Sequence, residues 1–203
     1  ATYNFSGIQG VGLSTVGDAL YALEKAVFTD NKIRLSDLVK QLTQNLDDKK
    51  LLAYLRRLDK FGNNSPEADK WTCYVVDTYA GAITGLGKNT RGGQYIAGLY
   101  SNTTHVHFGC FVGALPNGRR RGEPFASGIA PENGMDKQGP TALLNSMNRI
   151  DFTQFANGIN FNVKFDAASF SDEAGRRALG SLFKVYFDRG GMQAQVNMID
   201  PAM

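Results

Sequence analysis

The sequence predicts an α/β chain on three observations. Apolar residues recur at helical spacing through residues 1–90, whereas the sequence after Arg91 turns to short aromatic and β-branched runs. Near the far end, two stretches of strict alternation flank a helix with clear start and stop signals. A strand, a helix and a strand in that order make a βαβ unit and therefore a parallel pair.

In chain order, YNFSGIQGVGL is a glycine-punctuated entry. It leads into a helix for which Ser14 or Thr15 is the expected cap, with Asp18 near the positive end of its dipole. Val16, Ala19, Leu20, Leu23 and Val27 form its apolar stripe, and Asp30-Asn31 ends it. Ser36 is read as the cap of a second helix with Leu38, Val39, Leu42 and Leu46 on one side, and Leu51, Leu52, Leu55 and Leu58 mark a third. Ser65-Pro66 starts a fourth that carries Trp71, Val75, Tyr79 and Ile83 inward and stops at GLGKN. Tyr95–Tyr100 and His105–Val112 read as extended segments.

Gly113 to Asn148 is one long irregular connection holding four of the six prolines and the cluster Arg119-Arg120-Arg121, with a helical turn or two after Pro140. Ordinary connections run to roughly 4–6 residues. Leu115, Phe125, Ile129 and Met135 are spaced through this one as anchors, so it is expected to be ordered and packed. Beyond it, Ile159, Phe161, Val163 and Phe165 alternate with Asn160, Asn162 and Lys164. Met192, Ala194, Val196 and Met198 alternate in the same way with Gln193, Gln195 and Asn197. Between them Ser171 is expected to cap a helix that turns Leu179, Leu182, Phe183 and Tyr186 inward and ends at Arg189-Gly190-Gly191.

Composition excludes several classes. At 203 residues with 42% hydrophobic and 20% charged residues, the chain can bury a core of ordinary size. No apolar run approaches the ~20 residues that span a bilayer, and the start ATYNFSGIQG lacks a basic region followed by an apolar one. The expectation is a cytoplasmic protein without a membrane partner. A net charge of +3 is too small to imply nucleic acid. Cys73 and Cys110 have neither metal-binding nor disulfide-framework spacing, and both are read as packing residues.

The polar face of the alternating stretches is mainly amide, which suits a surface that must hydrogen-bond something. It is either a solvated face or the lining of a lumen. Asn160, Asn162, Gln193 and Gln195 are the candidate pocket residues, with His105 beside them. On a strand His105 and His107 would share a face, but no third metal ligand has an obvious spacing, and no metal is expected. Arg119, Arg120 and Arg121 are candidates for a partner or anion contact, with a solvated turn as the alternative.

The blocks YNFSGIQGVGLSTVGDAL, RGGQYIAGLYSNTTHVHFG, GALPNGRRRGEPFASGIAPENGMDKQGPTALLNS, NGINFNVKF and GGMQAQVNMIDPAM resemble, in order, the glycyl radical enzymes of the pyruvate formate-lyase family. The resemblance implies a ten-stranded α/β barrel around two central loops. One loop carries a cysteine that becomes a thiyl radical, with a glutamate two positions on. The other carries the radical glycine in an R-V-x-G-Y motif. Here Cys110 is followed by Phe111 and Val112, and Gly190-Gly191 does not match the glycine motif. The chain is therefore expected to be a single region, residues 1–203, forming much of the second half of such a barrel without its radical machinery. Residue by residue, no catalytic role carries over.

For the complete enzyme the resemblance implies hydrogen abstraction from a small organic substrate by a thiyl radical, in anaerobic metabolism. It also implies a glycyl radical installed by a radical S-adenosylmethionine activating enzyme, and no cofactor bound to this chain. The expected partners are the remainder of the barrel, the activating enzyme and further copies in a homo-oligomer. Such a fragment should show an unpaired sheet edge and exposed apolar surface. The alternative is a non-catalytic subunit that completes a split enzyme or docks its activase. A phosphate- or nucleic-acid-binding module using the three arginines is a remote third reading.

Overall fold

The structure, a computed structural model, describes residues 3–199. Strand β1 (Ser6–Gln9) leads into helix α1 (Leu13–Leu23), which widens into a π-helical turn over Glu24–Thr29. Helices α2 (Leu35–Thr43), α3 (Lys49–Arg57) and α4 (Pro66–Thr84) follow, then β2 (Tyr95–Gly98) and α5 (Thr104–Phe111). After the long connection come α6 (Gly139–Met147), β3 (Asn162–Asp166), α7 (Glu173–Asp188) and β4 (Gln195–Ile199).

All strand pairing within the named strands is parallel. β1 pairs with β2 from Ser6↔Tyr95 to Gln9↔Gly98, and β3 pairs with β4 from Asn162↔Gln195 to Asp166↔Ile199. A parallel bridge between Leu99 and Ile159 joins the two pairs; the Asn160 amide donates to the Leu99 carbonyl at 2.7 Å. The named strands thus form two two-stranded parallel sheets, β1-β2 and β3-β4, linked through that bridge, and among the described residues β1 and β4 each have one unpaired edge. Val196, Met198 and Ile199 on β4 are exposed, as are Val106, Phe108 and Phe111 on α5. Unpaired edges and bare apolar side chains are what a fragment of a larger sheet leaves open.

The main core lies between the strands, α4, α6 and α7. Phe61, Leu99, Ile129, Phe155, Ile159, Phe161 and Tyr186 are fully buried there. Helix α7 covers the apolar face of β3: Phe161 meets Tyr186 with ring centroids 5.7 Å apart and Phe165 meets Phe183 at 6.2 Å. A second core gathers Ala22, Ala26, Leu38, Leu46, Leu51, Leu55 and Ala114. Helices α1 and α4 run close enough that a Cβ at Gly17 would collide with Thr72.

Several sequence expectations are corrected. Ser14 and Thr15 lie inside the first turn of α1, beyond Gly12, and serve a different purpose. The Ser14 hydroxyl donates to the Ala130 carbonyl at 2.7 Å, and Thr15 Oγ1 accepts from the Ala126 amide at 3.0 Å, so both anchor the long connection. Asp18 is fully buried and accepts from the Phe61 amide at 2.7 Å. The α2 cap is Arg34, not Ser36, and Val39 is exposed. The α7 cap is Asp172, whose carboxylate accepts from the Gly175 amide at 2.7 Å, while Ser171 donates backward to Ala168. In α4 the buried stripe is Ala68, Thr72, Val76, Ala80 and Ile83, with Val75 and Tyr79 only flanking it. The largest correction is His105–Val112, which is helical through Phe111, with Val112 alone extended as its C-cap.

Candidate functional site

The polar side of β3 and β4 faces a cleft of about 520 Å³, walled opposite by α5 and by the Ser127–Asp136 part of the long connection. The register sets Asn162 beside Gln195 and Lys164 beside Asn197, so amide and ammonium groups stand in two rows along one wall. The period of two that turns Val163 and Phe165 onto α7 sends these polar residues the other way.

A chain of hydrogen bonds crosses the floor. Asn162 Nδ2 donates to Ser127 Oγ at 3.1 Å, Ser127 Oγ lies 3.1 Å from Ser101 Oγ, and Ser101 Oγ lies 3.2 Å from His105 Nδ1. The Gly128 amide donates to Ser101 Oγ at 3.0 Å, pinning the loop to it. Gly128 is needed there: its φ is +57° and a Cβ would collide with the Asn160 carbonyl. Burial lowers the pKa of His105, against an opposing bond to the Asn102 carbonyl, so its imidazole is neutral at neutral pH. The Asn160 and Asn162 Oδ1 atoms are buried without a hydrogen-bond partner. Of the two, Asn162 Oδ1 lies on β3 in the wall of the cleft, and an unpaired amide acceptor there is a standing demand for a donor.

A network of charges supports the cleft from behind. Glu132, on its rim, accepts from Asn117 Nδ2 at 2.9 Å, and burial raises its pKa despite the Thr15 and Asn117 bonds. Burial likewise raises the pKa of Asp18 well above its ordinary value and lowers that of Lys60, whose ammonium donates to the Leu55 and Leu58 carbonyls at 2.9 and 2.8 Å. A larger basin of about 680 Å³ opens beside Arg57 and Lys137, but its one buried cation, Lys60, is spent on those carbonyls.

The residues nominated from sequence divide sharply. His105, Asn162 and Gln195 line the cleft. Asn160 is buried on the same face without lining it, and Gln193 is exposed just before β4, where its carbonyl accepts from Tyr186 Oη at 3.1 Å. His107 is exposed, because two residues along a helix point apart. Arg119 is 3% exposed: its guanidinium donates to the carbonyls of Gly109 at 2.5 Å and Gly113 at 2.8 Å and sits 4.4 Å over the Phe125 ring. Arg120 donates to the Leu46 carbonyl at 2.7 Å, and the Arg121 amide to Asn45 Oδ1 at 2.7 Å. Two of the three arginine side chains are thus internal struts, contrary to the reading of a solvated turn. Cys110 is exposed and not packed, and Cys73 is half-buried with its thiol pushed up to about 11 by burial. No group of three or more His, Cys, Asp or Glu among the described residues could hold a metal.

Ser101, Ser127 and Asn197 were not nominated. Asn197 was visible in the alternation. The two serines sit in irregular segments, where no periodicity reports which way a side chain points.

The description "Pyruvate formate lyase-like" matches residues 1–109, and the description "Glycine radical" matches residues 125–203. The chain belongs to the pyruvate formate lyase-like family. Similar in sequence is the trans-4-hydroxy-L-proline dehydratase of Clostridioides difficile, 33% identical over 202 residues that make 98% of this chain and 25% of that protein. The isethionate sulfite-lyase of Bilophila wadsworthia is 32% identical over 200 residues, 97% of this chain and 24% of the lyase. Among solved structures, the glycerol-bound B12-independent glycerol dehydratase of Clostridium butyricum superposes with a TM-score of 0.95 at 40% identity, over 98% of this chain and 25% of the dehydratase. A glycyl radical enzyme from Archaeoglobus fulgidus gives 0.94 at 35% identity, over all of this chain and 26% of its own. The chain spans about a quarter of the length of these relatives. Within that family its fold is mixed α/β, and its sequence contains neither C-x-E nor R-V-x-G-Y.

Proposed function

We propose that this chain works as one wall of the substrate chamber of a glycyl radical enzyme of the dehydratase or lyase kind, with β1 to β4 as part of its ten-stranded barrel. The observation that carries the reading is the polar cleft. A family fold of parallel strands, covered on one face by α7, turns its opposite face of amides onto a cleft that His105, neutral at neutral pH, borders from α5. Parallel sheets normally have both faces covered, and a polar face of this kind belongs inside the intact protein.

Hydrogen abstraction would be supplied by the cysteine and glycine loops elsewhere in the intact enzyme, after a radical S-adenosylmethionine protein has installed the glycyl radical. This chain holds the motif of neither loop. Its own residues bind a small organic substrate, orient it along β3 and β4, and exclude water. Asn162, Gln195 and His105, which line the cleft, are the proposed contacts, and Asn160 and Gln193, which do not line it, are not among them. The remaining partners proposed are the rest of the barrel and a second copy in a homo-oligomer.

The test is electron paramagnetic resonance of the intact protein after anaerobic incubation with an activating enzyme and S-adenosylmethionine. A carbon-centred radical and consumption of a hydroxylated substrate are expected, whereas residues 1–203 alone should give neither. Absence of a radical in the intact, folded protein would sink the reading.

A further inference from the structure

Asn162 is tied to the long connection by its neighbours. Its Nδ2 is occupied by Ser127 Oγ, which is fixed through Ser101 to His105 and the Gly128 amide. With Nδ2 on Ser127, Oδ1 is a buried acceptor with no partner in the wall of the cleft. A buried carbonyl oxygen left unpaired is costly, so the site is incomplete without a donor. Waters exchange for a ligand donor at little cost where the ligand restores the bond.

The neighbouring groups narrow the donor. Lys164 and the acids Glu132 and Asp136 also line the cleft, so the charges there are mixed and favour no single sign of ligand. Gln195, paired with Asn162 across the strands, adds a second amide. We propose that Asn162 Oδ1 reads a hydroxyl group of the substrate, and that Ser127, Ser101 and His105 are positioning residues that keep this acceptor aimed at it. The assignment rests on the cleft being the substrate chamber.

A site built to bond a hydroxyl rejects an analogue lacking it more strongly than a shape-selective one does, because its buried partner is then left unpaired. Two probe pairs test this on the intact protein before any radical is installed: glycerol against propane-1,3-diol, and trans-4-hydroxy-L-proline against L-proline. Calorimetry should show at least one hydroxylated probe binding about tenfold more tightly than its deoxy partner. Asn162→Ala should abolish that preference, Asn162→Asp, which keeps an acceptor, should retain it, and Ser127→Ala should reduce it about threefold by freeing the amide. Should Asn162→Ala not fold, Asn162→Asp and Ser127→Ala still decide the matter. Equal affinities within both pairs, an unchanged preference in Asn162→Ala or Ser127→Ala, or no binding of either hydroxylated probe overturns the proposal. Because no radical is needed, a protein that binds by this pattern yet forms no radical counts against the chamber's chemistry and not against Asn162.

Discussion

The two halves of the long connection do opposite things with their polar groups. From Gly113 to Ala126 they tie the chain to its own fold: Arg119 ties three carbonyls, Arg120 reaches back to Leu46, and the exposed Arg56–Glu123 pair closes at 2.7 Å. From Ser127 to Asp136 they border the cleft, and the strand that this half faces carries unpaired acceptors. One half spends hydrogen bonds on holding the chain in place. The other borders the cleft, and the unmet acceptor there is Asn162 Oδ1 on the strand it faces; within the two halves themselves the buried unpartnered atoms are Arg119 Nε and Arg120 Nε. The contrast separates stability from function along a single connection.

The strongest way to break it is at Arg119. Arg119→Met keeps a long side chain but removes the guanidinium bonds to the Gly109 and Gly113 carbonyls, the first of which keeps only the Gly122 amide, and hydrogen bonds to charged groups contribute about 1.5–3 kcal/mol each. A loss of about 2–4 kcal/mol in urea unfolding is expected. A loss below about 0.5 kcal/mol would show that the inward half is not the brace described. At the junction of the two halves, Gly128→Ala forces a side chain onto a backbone with φ of +57° and against the Asn160 carbonyl. It should cost about 2 kcal/mol and also shift ligand affinity, whereas Arg119→Met should move stability alone.

How much of this was legible follows the physics of each segment. The β3-α7-β4 unit could be read because its strands alternate between two different environments, one aromatic and one amide, and because the helix between them has acidic start and glycine stop signals. Asn162 and Gln195 were found by the same alternation. Helix α5 was misread because HVHFG has the composition of a strand, and tertiary contact decides otherwise. Gly109 is buried against Glu123 and Pro124, and its carbonyl accepts from both Arg119 and the Gly122 amide. Those partners lie ten or more residues away, beyond any local pattern. Ser101 and Ser127 were invisible for a related reason, since loops carry no periodicity from which a direction can be read.

The charges behind the cleft give a test that depends on pH. Asp18 has a folded pKa raised by burial, facing Glu132, Lys60 and Asp69, and one of its oxygens has no partner. The folded state therefore holds a proton that the unfolded chain releases near the ordinary carboxylate value. Its contribution is fully present below that value and is lost as pH rises towards the raised folded value. Asp18→Asn should flatten this part of the stability profile and leave the variant as stable as the parent, or more so, at pH 8. A variant clearly less stable at pH 8 would mean that the carboxylate is paired and charged in the fold.

The smallest expected effect is at Ser127, and it is the most discriminating. Its hydroxyl joins two neutral groups, so Ser127→Ala should cost only about 0.5–1.5 kcal/mol of stability. If the cleft half of the connection were another brace, loss of Ser127 would compare with loss of Arg119. If it is built for a ligand, the unfolding midpoint should fall by much less than in Arg119→Met while the protection given by a bound hydroxylated probe falls, because stabilisation by a ligand follows its affinity. Thermal unfolding of Ser127→Ala and of the parent, each with and without saturating glycerol, measures both quantities at once. Equal ligand-induced shifts in the two proteins would place Ser127 with Arg119, as a structural tie and nothing more.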